Sequence, residues 1–220
     1  MRRWGRMIFV GRKSEKKKII ESLKDGKNII LGGKYGIGRT TLIREIAEIL
    51  AGEQPFIFVD FSRTPGKMSE ILFRELGLVN YQAPHIKTKY KPMRYRIGNA
   101  TWPGKHKPVI VLDNIAKITV PKAIFLDYLV SKQHFQFMAI VENFIEQKDF
   151  LKLKALLIPS INLTLHRLYK KDIEKALQRY ADSHPLCWTK SHIQMLATLS
   201  NGYPLGLAEL LKSKRLCEKT

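Results

Sequence analysis

Acidic residues are scarce in this chain: 19 Asp and Glu against 39 Lys and Arg give its 220 residues a formal charge of +20. A surface of that sign disfavours cationic partners and points to polyanions, nucleic acid ahead of an anionic membrane. Cysteine is scarcer still. Cys187 and Cys217 cannot build a disulfide framework, and they fit a reducing, cytoplasmic compartment. Long apolar runs are missing too, since the longest strongly apolar stretch without a charge, residues 155–165, is about half of the roughly 20 residues that a membrane helix needs. The basic start is not followed by the apolar core of a signal peptide, so neither secretion nor a membrane partner is expected. Histidines 134, 166, 184 and 192 stand without Cys or carboxylate neighbours at ligand spacing, which argues against a histidine-held metal. What is present is ordinary globular material, 45% apolar and 10% aromatic, enough to bury a core in one domain with a small companion.

The pattern along the chain is one of alternation. Short, wholly apolar stretches at 29–31, 109–112 and 137–141, with 56–61 and 161–165, read as strands of a parallel sheet with helices on both faces. Helical spacing fills the intervals at 14–24, 40–50, 68–78, 121–132 and 147–157. The expected architecture is therefore α/β, a five-stranded parallel sheet with helices on both faces. Beyond residue 169 strand patterns cease and helices are expected at 171–180, 190–199 and 203–211. This divides the chain into an α/β domain, 1–166, and a small all-helical domain, 167–220.

Gly33-Lys34-Tyr35-Gly36-Ile37-Gly38-Arg39-Thr40-Thr41 follows the first strand and opens a helix. It matches the phosphate-loop pattern G-x-x-x-x-G-K followed by Ser or Thr, with Arg39 in place of the lysine. Glycines let consecutive backbone N–H groups wrap a polyphosphate, and the helix N-terminus adds partial positive charge. A glycine-rich turn is the bland alternative, but position, spacing and the Thr-Thr pair together favour a P-loop NTPase sheet that binds ATP or ADP through residues 33 and 36–41. Thr40 stands where a hydroxyl ligates Mg²⁺, and Arg39 is expected to reach the terminal phosphates. Asp113, ending the run Val109-Ile110-Val111-Leu112, stands where an acid holds the Mg²⁺ through water. Asn114 follows it where many ATPases place a glutamate, and an amide can orient a water without taking its proton. With arginine's planar fork in place of a compact ammonium, nucleotide binding with weak or absent hydrolysis is expected.

Phe9-Val10-Gly11-Arg12, the basic helix, the phosphate loop and Phe58-Val59-Asp60 resemble the opening of the AAA+ and STAND ATPases, above all the archaeal-type ATPases and origin-recognition initiators. The resemblance implies base recognition by Val10, Gly11 and Arg12. It also makes the helical domain a lid whose Gly202-Tyr203-Pro204-Leu205 brings Pro204 to the nucleotide, and it sets Asn143 loosely at the polar sensor position. The pattern departs at Arg39 and Asn114, and the nearest residues to an arginine finger are Lys152 and Lys154. Assembly into homo-oligomers, or with a protein partner, is what such a family implies.

The 28 residues 81–108 hold seven Lys and Arg and no acid. Lys87, Lys89, Lys91, Arg94, Arg96, Lys105 and Lys107 are interleaved with Tyr90, Tyr95 and Trp102. In an extended segment the alternating cations would share one side, with aromatics free to stack on bases. Nucleic acid, DNA before RNA, is the expected partner, and a solvated loop or a surface for an acidic protein is the plainer reading. The composite expectation is an ATP-dependent switch or assembly factor acting on nucleic acid, as in replication, recombination or mobile-element accessory proteins. A degenerate scaffold that binds a protein, or a fully active ATPase, are the alternatives.

Overall fold

The structure, a computed structural model, describes residues 11–78, 90–183 and 187–217, with backbone only at 90–91 and 212–217. Its elements run α1 (Lys13–Lys24), β1 (Asn28–Gly33), α2 (Arg39–Ile49), β2 (Phe56–Asp60), α3 (Pro65–Glu75), α4 (Tyr90–Gly98), β3 (Val109–Ile115), α5 (Val120–Ser131), β4 (Gln136–Val141), α6 (Gln147–Leu156), β5 (Ser160–Leu165), α7 (Lys170–Ser183), α8 (Lys190–Leu199) and α9 (Pro204–Cys217). The five strands form one sheet in the order β2-β3-β4-β1-β5, every neighbouring pair parallel.

Side chains alternate across each strand, so continuous apolar runs serve two cores at once. Ile30, Ile110, Leu112, Phe137 and Ala139 enter one, which α3, α4, α5 and α6 cover. Ile29, Leu31, Val109, Val111 and Met138 enter the other, under α1 and α2. Central β4 is buried at all six positions, and the edge strands β2 and β5 are only partly so. Helices α7 to α9 close around a third cluster that includes Ile173, Leu177, Leu196 and Leu207. Among the described residues no helix is long and apolar enough to cross a membrane.

The sheet is the one that the alternation implies. The basic segment is different: residues 90–98 form helix α4, which contradicts the extended conformation on which a one-sided cation stripe depends. Met93 and Ile97, four residues apart on one helical face, are buried in the core beside α3 and α5. That burial outweighs the alternation of cations around them. Two residues apart on a helix, Arg94 and Arg96 point about 200° apart. The Arg94 guanidinium lies over the Tyr128 ring and that of Arg96 over Phe73, each 4.7 Å from the centroid.

Candidate functional site

The chain leaves the buried β1 strand into the loop with three glycines in left-handed or related conformations, Gly33 (φ 147°), Gly36 (φ 77°) and Gly38 (φ 91°). At two of them space is also missing. A Cβ on Gly33 would stand 3.0 Å from Ile37 Cγ2 and 3.1 Å from the Leu165 carbonyl oxygen, and one on Gly36 would stand 3.0 Å from Leu205 Cβ. Gly38 then caps α2, whose first N–H groups have no carbonyl one turn back within the helix and open onto the loop. Thr41 is exposed in that first turn and Ile37 is buried beneath the loop.

Thr40 Oγ1 donates to Asp113 Oδ2 at 3.1 Å. Two hard oxygen donors thus meet at the N-terminus of α2 beside a glycine cradle, an arrangement suited to Mg²⁺ and polyphosphate. Among the described residues no three His, Cys, Asp or Glu converge as a metal cluster, so phosphate and water oxygens would complete the coordination of such an ion.

Asp113 and Asp60 are register partners at the carboxyl ends of β3 and β2. Asn114, in a left-handed conformation (φ 62°), donates its N–H to Asp113 Oδ1 at 2.9 Å and its side-chain amide to Asp60 Oδ1 at 3.2 Å. Burial raises the Asp60 carboxyl, but hydrogen bonds from Ser62, Asn114 and Arg63 outweigh it and hold the group below the usual aspartate range. Burial lowers the nearby Lys122 ammonium, and the Asp60 charge offsets part of that effect.

Arg39 is placed differently from its expected reach toward terminal phosphates. Its side chain is 7% exposed and donates to the Val141 carbonyl and to both carboxylate oxygens of Glu142, at 3.0 and 2.8 Å. A planar fork with several N–H groups can engage a carboxylate and a carbonyl together, which a lysine ammonium does less well.

Asn143 follows, exposed, on a cleft of about 710 Å³ that Gly33, Lys34, Thr164, Arg167 and Tyr203 also line. The lid meets the loop directly: Leu205 N–H donates to the Gly36 carbonyl at 3.2 Å, which sets Pro204 one residue from that contact. Arg12 is buried and left-handed (φ 60°), pairs with Glu15 at 2.9 Å and donates to the carbonyls of His166 and Ile37. It fastens α1 to the loop and to the end of β5. Gly11 lies against Leu168 and Asp172 of the helical region. Val10 lies outside the described residues, as do Lys87 and Lys89.

Of the other expected nucleic-acid residues, Tyr90 and Lys91 belong to α4, and Arg96 donates to the Leu78 carbonyl at 2.8 Å. Tyr95 and Trp102 are 65% and 43% exposed, and Lys105 and Lys107 are exposed. Lys152 stands 3.7 Å from Asp149, on α6 with Lys154. Sequence reasoning overlooked Asp60 and Glu142 as members of the site. Each ends an apolar strand in the same way as Asp113, and that shared position was the available clue.

No family model matches the chain, and no curated protein matches it in sequence. Solved structures do match. The Orc1 protein of Aeropyrum pernix, in complex with DNA, superposes with a TM-score of 0.76 at 16% identity, over 100% of this chain and 63% of that one. The chain has the AAA+ fold. Two further structures of this fold agree: the RuvB Holliday junction branch migration motor of Thermotoga maritima, TM-score 0.64, 18% identity, 93% of this chain and 61% of that one, and Cdc6p of Pyrobaculum aerophilum, TM-score 0.66, 12% identity, 94% and 62%. The chain thus spans less than two thirds of the length of each of these AAA+ structures.

Proposed function

We propose that this protein binds ATP or ADP with Mg²⁺ and uses the bound nucleotide as a switch or assembly signal on nucleic acid, with weak or absent hydrolysis. The observation that carries the reading is the Thr40–Asp113 hydrogen bond at the foot of a glycine loop that also touches the lid through Leu205. Phosphates would lie against the N–H groups of residues 36–41, Mg²⁺ beside Thr40 and Asp113, and the base toward Gly11, Arg12 and Pro204. Residues 1–166 and 167–220 would then act as two units whose relative position the nucleotide biases, through its differential affinity for the two arrangements. Asn143 would report the terminal phosphate.

Two features support slow turnover. Asn114 cannot take a proton from water, and Arg39 spends its donors on Glu142 and Val141. The net charge of +20 and the exposed Tyr95, Trp102, Lys105 and Lys107 support a nucleic-acid partner. DNA is favoured because an Orc1–DNA complex and a branch-migration motor share the fold. Self-assembly and a cytoplasmic setting belong to the same proposal. Titration of the protein with ATP and ADP, with and without DNA, tests it: micromolar binding that requires Thr40 and Asp113 is expected, and binding indifferent to both residues would overturn it.

Asp60 favours a second reading, that of an active ATPase. Its carboxylate is hydrogen-bonded to Asn114 and could serve as the base that Asn114 cannot be. Turnover at ordinary ATPase rates that Asp60→Asn abolishes would favour this reading over the switch.

A further inference from the structure

The arginine at the lysine position of the phosphate loop already has an anion. Arg39 and Glu142 form a bidentate pair at 3.0 and 2.8 Å, with side chains only 7% and 15% exposed. The Val141 carbonyl takes a third guanidinium contact. The acid is held in place as well, because the Glu142 N–H donates to the Ile115 carbonyl at 2.9 Å, one residue beyond Asn114. The pair therefore spans from the first residue of α2 to the junction of β3 and β4. An incoming phosphate would have to replace two charge-assisted hydrogen bonds and leave a largely buried carboxylate unpaired, and breaking such a pair from one side is costly.

We propose that Glu142 is a specificity-determining positioning residue: by sequestering Arg39 it withholds the guanidinium at the motif's lysine position from the terminal phosphate, so that the site takes ADP and ATP with similar affinity. The nucleotide is then held by backbone N–H groups, which engage the phosphates common to both, and by Mg²⁺ at Thr40 and Asp113. Discrimination for the third phosphate becomes available only when Glu142 lets go. The inference rests on the reading of residues 33–41 as a nucleotide loop.

The test measures dissociation constants for Mg·ATP and Mg·ADP by calorimetry on the 220-residue chain, for the wild type, Glu142→Gln, Glu142→Ala, Arg39→Lys and Thr40→Ala, with a thermal melt of each to confirm folding. The wild type is expected to bind the two nucleotides within about threefold of each other, and both Glu142 variants to tighten ATP by about tenfold while ADP changes by less than about threefold, since charge-assisted contacts to the extra phosphate are gained only by ATP. Glu142→Gln keeps an acceptor for Arg39 and is nearly isosteric, so it carries the test if Glu142→Ala does not fold. Arg39→Lys, unable to keep the forked pair, is expected to move the ratio the same way by a smaller factor. A wild type that already prefers ATP by tenfold, or Glu142 variants with an unchanged ratio, would overturn the inference while Thr40-dependent binding left the nucleotide reading standing. Failure of every folded variant to bind either nucleotide would sink both.

Discussion

Two arginine-bearing regions of this molecule received opposite treatment from the fold. In the phosphate loop and the strand ends around it, sequence spacing survives into three dimensions. Gly33, Gly36, Gly38, Thr40 and Asp113 stand where their motif puts them, because a strand–loop–helix turn is a local geometry that glycine positions dictate. In the basic segment spacing does not survive, because alternation has meaning only if the chain is extended. Met93 and Ile97 make residues 90–98 a helix, which sends Arg94 and Arg96 onto the rings of Tyr128 and Phe73. Charge in a sequence therefore marks a supply of cations without saying which already have a partner. Arg39 is buried against Glu142, and Arg94 and Arg96 lie over rings at the surface of the fold, Arg96 still exposed, whereas no ring or carboxylate engages the exposed Lys105 and Lys107 among the described contacts.

The sharpest way to break this contrast is at the loop. Thr40→Ala combined with Asp113→Ala is expected to weaken Mg·nucleotide binding by at least about 100-fold, since it removes both protein oxygens that would hold the ion; calorimetry checks it. Loss of less than tenfold would mean that the motif's spacing survives without its chemistry. Gly36→Ala comes next. A left-handed alanine costs about 1–2 kcal/mol, and its Cβ would press on Leu205 at 3.0 Å. A fall of several degrees in melting temperature is expected, with a loosened lid seen as faster amide exchange around α9.

In the basic segment the prediction separates two kinds of cation. Arg94→Ala and Arg96→Ala are each expected to destabilise the fold by about 0.5–1 kcal/mol through lost cation–ring contacts, read by urea denaturation. Lys105→Ala with Lys107→Ala is expected to leave stability unchanged and to weaken single-stranded DNA binding, with a shallower salt dependence. If the arginine variants instead lowered DNA affinity at constant stability, α4 would be a binding face and the contrast would blur. The smallest effect concerns acid. Asp60 has its carboxyl below the usual range, so its contribution is present above the unfolded-state value, near pH 4, and lost as pH falls through the lower folded value. Asp60→Asn is expected to flatten the acid side of the stability profile slightly, because the side chain is 35% exposed and solvent screens its contacts.

The five parallel strands, the phosphate loop and the helical run after residue 169 were legible in the order of residues. Burial on both faces of a parallel sheet demands continuous apolar strands, and a loop around phosphate demands glycine. Both are local requirements that leave a linear trace. The pairings of Arg39 with Glu142 and of Asp60 with Asn114 are not local, and a strand-end position hints at the site without naming the partner. Glu142 lies 103 residues from Arg39, and Asn114 lies 54 from Asp60, so only the order β2-β3-β4-β1-β5 and the closure of the sheet's carboxyl edge bring them together. Sequence alone determined where the glycine loop turns from strand into helix. Which charges around that loop are already paired was decided by tertiary structure, because a buried ion must find its counterion among whatever the fold sets beside it.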